Sequence, residues 1–123
     1  MAAVRGKLFR MSCVFCEIAA KRIPATVVFE DDLVLAFHDI NPQAPVHVVL
    51  IPKRHVSSLL ELTGLDDALV GGLVRRARDL ARELGLAERG FRLVLNAGDD
   101  AGYSVYHIHL HLIGGRKLGW PPG

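Results

Sequence analysis

Only two of the 123 residues are cysteines, Cys13 and Cys16. That is too few for a disulfide framework and fits a reducing cytoplasm, where the protein is expected to reside. No apolar run approaches the roughly 18 residues that a bilayer-spanning helix needs, so no membrane role is expected. Charge of either sign is nearly balanced, at a formal net +2. This falls far short of the basic stripe of a nucleic-acid duplex binder, and no nucleic-acid partner is expected. Internal repeats, low-complexity tracts and linkers are all missing. Residues 1–11 carry Arg5, Lys7 and Arg10 without an apolar stretch of signal-peptide length. Met11-Ser12 suits an alternative start, which makes 1–12 a tail and 13–123 the domain. Half the residues are apolar and 23% are charged, the composition of an ordinary globular chain long enough for one core.

What is present has clear local patterns. Cys13–Glu17 reads as the start of a short helix with Ser12 as N-cap, ending before Pro24. Thr26–Glu30 and Leu33–Phe37 are β-branched and aromatic around Asp31-Asp32, which predicts a hairpin over 26–38. Asn41–Pro45 holds two prolines and is a loop, and Val46–Ile51 is a third strand closed by Pro52. Over 65–84 apolar residues recur at helical spacing, from Leu65, Leu69 and Leu73 to Leu80 and Leu84. Thr63 and Asp66 resemble a capping box, and Gly85 suits the C-terminal cap. Gly71-Gly72 inside this helix reads either as small surface residues or as a close approach of another backbone. Arg75, Arg76, Arg78 and Arg82 form its solvated face. With strands at Phe91–Asn96 and His107–Ile113, the chain is expected to be α+β, with about five antiparallel strands, one long helix and one short helix.

The last of these segments is the most informative. His107-Ile108-His109-Leu110-His111-Leu112-Ile113 places three imidazoles on one face of an extended chain and an apolar row on the other. Two chemistries suit three imidazoles at period two: metal ligation, or nucleophilic attack on phosphorus with neighbouring acid–base help. The preceding loop, Asn96 to Ser104, is small and polar and can bring backbone N–H groups to an anion. Coupled to the histidines, it favours phosphate. Cys13-x-x-Cys16 reads on its own as half a zinc site, a redox pair, or two unconnected thiols.

The histidine segment fits the His-φ-His-φ-His-φ-φ signature of the histidine triad (HIT) superfamily of nucleotide hydrolases and transferases. Phe29-Glu30-Asp31-Asp32, Ala36–Ile40, Pro42-Gln43-Ala44-Pro45, Ile51–His55 and Trp120-Pro121-Pro122-Gly123 resemble its purine nucleoside phosphoramidase branch. The resemblance spans 13–123. It implies a HIT-like fold, a homodimer built on the long helix and a sheet edge, and hydrolysis of the P–N bond of AMP- or GMP-linked amines. Purine nucleoside monophosphates and phosphoramidates would be the ligands, with no magnesium requirement.

By that resemblance His109 is the nucleophile, His111 contacts phosphate and assists the leaving group, and His107 orients them. Ser104 bonds the leaving amine, and His47 is an accessory catalytic histidine. Asp39 accepts the ribose hydroxyls, although Asp before Asn-Pro is also a common turn residue. Phe37 and Ile40 pack near the base, while Asn96, Gly102 and Tyr103 line the phosphate and sugar. Tyr103 stands where the family usually has Gln. Relatives with zinc sites imply that Cys13, Cys16, His55 and His107 bind a structural Zn²⁺. Dinucleoside polyphosphate hydrolysis, a non-catalytic nucleotide-binding regulatory role, and a catalytic metal on the triad are the alternatives.

Overall fold

The computed structural model describes residues 13–123. The tail and the proposed Ser12 cap lie outside the described residues. Helix α1, Val14–Ala19, is instead capped by Cys13, whose Sγ accepts the Cys16 N–H at 3.4 Å. Two strands follow as the expected hairpin, β1 Val27–Glu30 and β2 Val34–His38. The Asp31 carboxylate closes its turn by accepting the N–H groups of Leu33 at 2.9 Å and Val34 at 2.8 Å. Strand β3 is Val46–Pro52, helix α2 is Asp67–Glu83, and β4 Phe91–Leu95 and β5 Leu110–Gly114 complete the fold.

The five strands form one antiparallel sheet in the order β1-β2-β3-β5-β4. Alternation along the strands gives it two different faces. Val34, Ala36, Val48, Leu50, Ile108, Leu110 and Leu112 meet Leu73, Ala77, Leu80 and Ala81 of α2 in the main core. Each fully buried aliphatic side chain there contributes about 1.5–3 kcal/mol. Leu35, Phe37, Val49 and Ile51 point the other way, and α1 covers them with Ile18 and Phe15. The architecture is α+β, with the imidazoles on the α1 side.

The long helix starts later than the apolar spacing suggests. Thr63 and Asp66 do form a capping box, but it opens a 3₁₀ turn at Gly64–Asp66, and α2 proper begins at Asp67. Leu65 consequently stands 95% exposed, outside the core stripe. Gly71 has open space around its Cα, whereas a Cβ on Gly72 would meet the Arg76 guanidinium at 2.6 Å. Within this chain the close neighbour of the glycine pair is thus a side chain of the same helix. Arg76 crosses Gly72 to pair with Asp31, Nε to Oδ2 at 2.7 Å.

The histidine segment requires a larger correction. Only His111 lies in a strand, because β5 begins at Leu110. The register Leu50↔Leu110 would set Ile108 opposite Pro52. Proline has no N–H to give, so the ladder stops. The Ile108 N–H turns instead to the Val56 carbonyl at 2.7 Å. His107 lies in a bend, its N–H closing onto the Val105 carbonyl at 2.9 Å, and His109 is unpaired. Ile108 still packs into the main core while the rings of His107 and His109 both meet Phe15, so the alternation of faces survives while the strand does not.

Candidate active site and metal centre

His109 projects from this unpaired segment and is 9% exposed. Its Nδ1–H donates to the His107 carbonyl at 2.7 Å. That bond fixes the tautomer and leaves the Nε2 lone pair bare. Three rings hold the imidazole: Tyr103 stacks on it at 5.4 Å and 11°, Phe15 meets it edge-on at 5.0 Å, and His111 meets it edge-on at 5.0 Å. Burial pushes the His109 pKa down, opposed by the hydrogen bond to His107. The neutral, nucleophilic form is therefore the resting one.

His111 is assigned the opposite role by its partners. The Gln43 N–H donates to His47 Nδ1 at 3.1 Å, so the His47 proton sits on Nε2. His47 Nε2–H donates in turn to His111 Nδ1 at 2.9 Å. His111 must then carry its own proton on Nε2, as a donor facing the cleft. Burial, followed by the neighbouring His109 and His47, pushes the His111 pKa down to about 4. Behind this pair, the Arg116 guanidinium donates to the Gln43 carbonyl through Nε at 3.3 Å and Nη2 at 3.0 Å.

A few ångströms away, Cys13, Cys16, His55 and His107 converge. Zinc bonds of about 2.3 Å to sulfur and 2.0–2.1 Å to nitrogen imply tetrahedral edges of about 3.6 Å for S···N and 3.3 Å for N···N. The His107 Nδ1 lies 3.5 Å from Cys13 Sγ and 3.6 Å from Cys16 Sγ, and 3.2 Å from His55 Nδ1. Cys16 Sγ to His55 Nδ1 is 3.2 Å, a compressed edge of the same tetrahedron. His107 Nε2–H donates to the Pro52 carbonyl at 2.7 Å, which leaves Nδ1 free to ligate. The donor set fits a closed zinc site.

Asp39, His47 and His111 also cluster. There the two ring nitrogens are 2.9 Å apart, a hydrogen-bond distance shorter than the edge of about 3.3 Å that two nitrogens on one zinc would span. This second cluster is better described as a proton-bearing relay than as a metal site.

With that geometry established, known proteins give a consistent context. The HIT domain model matches residues 20–118. The chain belongs to this family. A crystal structure of a HIT family hydrolase from Legionella pneumophila Philadelphia 1 superposes with a TM-score of 0.90 at 52% identity, covering 91% of this chain and all 100% of that one. Adenylylsulfatase HINT1 of Arabidopsis thaliana is 53% identical over 116 residues, which is 89% of this chain and 76% of that protein. A 14 kDa zinc-binding protein of Brassica juncea is 52% identical over 116 residues, or 89% of this chain and 98% of that protein.

The structure of this HIT protein brings most of the expected site residues to the α1 side of the sheet. Phe37 is buried beneath the Phe15 ring at 5.7 Å. Asp39 makes the turn its sequence context suggests, with Oδ1 accepting the Asn41 N–H at 2.8 Å, while Oδ2 stays 3.5 Å from His47 Nε2. Ile40 stands at the rim, 99% exposed. Gly102 adopts φ +77°, ending a 3₁₀ turn at Asp99–Ala101, and Ser104 follows, exposed, on the same loop. Asn96 is half-buried at the end of β4. Phe15, Gln43, Pro52, Ser57 and Arg116 were not singled out from the sequence. Phe15 had a signal, since it sits inside the Cys-x-x-Cys that the metal site would hold. Gln43, Pro52 and Ser57 act through backbone groups, which side-chain patterns do not report, and the Arg116 guanidinium reaches the Gln43 carbonyl from 73 positions away.

Proposed function

We propose that this HIT protein is a purine nucleoside phosphoramidase, cleaving the P–N bond of AMP- or GMP-linked amines such as AMP-lysine and aminoacyl-adenylates. One observation carries the reading: a buried imidazole, His109, whose Nδ1 proton is tied to a carbonyl while its Nε2 has no hydrogen-bond partner among the described residues. His109 Nε2 attacks phosphorus and forms a nucleotidyl-histidine while the P–N bond breaks. Beside the anionic phosphate the His47–His111 pair takes up one proton from solvent, so that His111 acts as an imidazolium: its Nε2–H protonates the departing nitrogen, which leaves as a free amine with Ser104 accepting a hydrogen bond from it. Water then attacks the adduct, gives its proton to His111 and releases the nucleoside monophosphate. Asp39 receives the ribose hydroxyls, Phe15, Phe37 and Ile40 contact the base, and Asn96, Gly102 and, through its backbone, Tyr103 flank the phosphate.

Cys13, Cys16, His55 and His107 would hold a Zn²⁺ ion, which would supply a structural cross-link. Magnesium is not required. The chain works in the cytoplasm as a homodimer through α2 and the free edge of β4, which a monomeric mass by light scattering would refute. Among the described residues no helix is long and apolar enough to cross a membrane.

The test is a substrate panel of nucleoside phosphoramidates, adenylyl sulfate and diadenosine polyphosphates. A burst of amine release with a trapped AMP adduct, abolished in His109→Ala, is expected; full turnover by His109→Ala sinks the mechanism. The similarity to an adenylylsulfatase favours a second reading, in which sulfate is the leaving group on the same His109 chemistry.

A further inference from the structure

Tyr103 belongs to the loop before the triad, yet its side chain does not line the cleft as a loop residue would. It is 4% exposed, its ring lies parallel to His109, and its hydroxyl donates to the Ser57 carbonyl at 2.6 Å. Ser57 lies two residues after His55, on the segment leaving the metal centre. The Tyr103 N–H closes the loop onto the Gly98 carbonyl at 3.1 Å. Tyr106 meets the ring edge-on at 5.3 Å and reaches Asp99 Oδ1 at 3.4 Å. The tyrosine is thus pinned at its backbone, its ring and its hydroxyl.

We propose that Tyr103 is a positioning residue for the nucleophile: its ring fixes the plane of the His109 imidazole, and its anchored hydroxyl ties the 98–104 loop to the His55 segment. A single hydrogen bond to the His107 carbonyl restrains one edge of His109 but leaves the ring free to tilt about that bond. The parallel Tyr103 ring and the edge-on Phe15 ring together remove that freedom. With ring and hydroxyl both engaged, position 103 offers no hydrogen bond to the leaving group. Leaving-group contacts from this loop fall to Ser104, so the site accepts amines of varied polarity. This rests on the phosphoramidase reading for its kinetics and is independent of it for its geometry.

Tyr103→Phe keeps the ring and loses the anchor; Tyr103→Leu loses both. With adenosine 5′-phosphoramidate, Tyr103→Leu is expected to lower kcat about 10-fold or more, with AMP affinity, zinc content and fold retained. Tyr103→Phe is expected to restore kcat to within about 3-fold of the parent. In ¹⁵N–¹H spectra of the histidine rings at one fixed pH, His109 should show a single Nδ1–H tautomer in the parent and Tyr103→Phe, and a mixture in Tyr103→Leu. A folded Tyr103→Leu with parental kcat and unchanged His109 signals overturns the proposal, as does a drop in thermal stability without either change. If Tyr103→Leu does not fold, Tyr103→Met supplies the ring-free side chain and the same outcomes decide. If the parent turns over no phosphoramidate, the functional reading fails while the ring spectra still settle the positioning role.

Discussion

His109 and His111 are two positions apart on one face of the chain, and hydrogen bonds alone give them opposite chemistry. The His107 carbonyl takes the Nδ1 proton of His109, and the Gln43–His47 pair pushes the His111 proton out to Nε2. The difference yields a test. A departing amine must gain a proton, whereas sulfate leaves as a stable anion without one. His111→Asn should therefore slow phosphoramidate cleavage by about 10²–10⁴, the usual contribution of a general acid, and slow adenylyl sulfate cleavage far less. Equal losses in steady-state assays of both substrates would reject the acid role. The period-two spacing of the histidines already placed three rings on one face. It was silent on tautomers, because these are set by peptide groups that any residue type supplies: the His107 carbonyl for His109, the Pro52 carbonyl for His107, and the distant Gln43 N–H, through His47, for His111.

At the level of elements, the candidate zinc site would clip α1 to the rest of the fold. Cys13 and Cys16 flank Phe15, whose ring touches Phe37, His107 and His109. Fixing Cys16 to His107 closes a separation of 91 residues. By analogy with a disulfide over such a loop, this is worth about 3–5 kcal/mol, some of it expressed as metal affinity. Cys16→Ser, or chelation of the parent, should remove one zinc per chain by elemental analysis and lower the melting temperature. It should also weaken AMP binding as Phe15 loses its seat. An unchanged melting temperature after metal removal would count against the clip. Element types were legible in the sequence, since β-branched runs and the apolar stripe of α2 report directly on burial. Their ends were less so. The stop at Pro52 truncates β5 from across the sheet, and the 3₁₀ turn at Gly64–Asp66 is set by a cap that looks the same in front of an α-helix.

For the molecule as a whole, the sheet carries a hydrocarbon core on one face and buried imidazoles on the other. Burial holds the pKa values of His47 and His109 below the ordinary histidine value and that of His111 at about 4. An unfolded histidine titrates near pH 6.5. The native chain thus binds fewer protons than the unfolded one across this interval, and stability falls with pH below about 6.5. For His111 the loss runs from about 6.5 down to its folded value near 4. Melting temperatures should decline steadily as pH is lowered through that window, with a shallower slope in His111→Asn. A flat profile in both proteins would mean that the rings are not held neutral. The imidazole row has one more property, set by its far end. His47 Nδ1 rests on a peptide N–H, the amide of Gln43, and a peptide does not surrender its proton at neutral pH. The row is therefore closed at that end, and no proton enters it from the chain. On the proposed mechanism, the proton given to the leaving amine is taken up from solvent on the substrate side and returns from the attacking water.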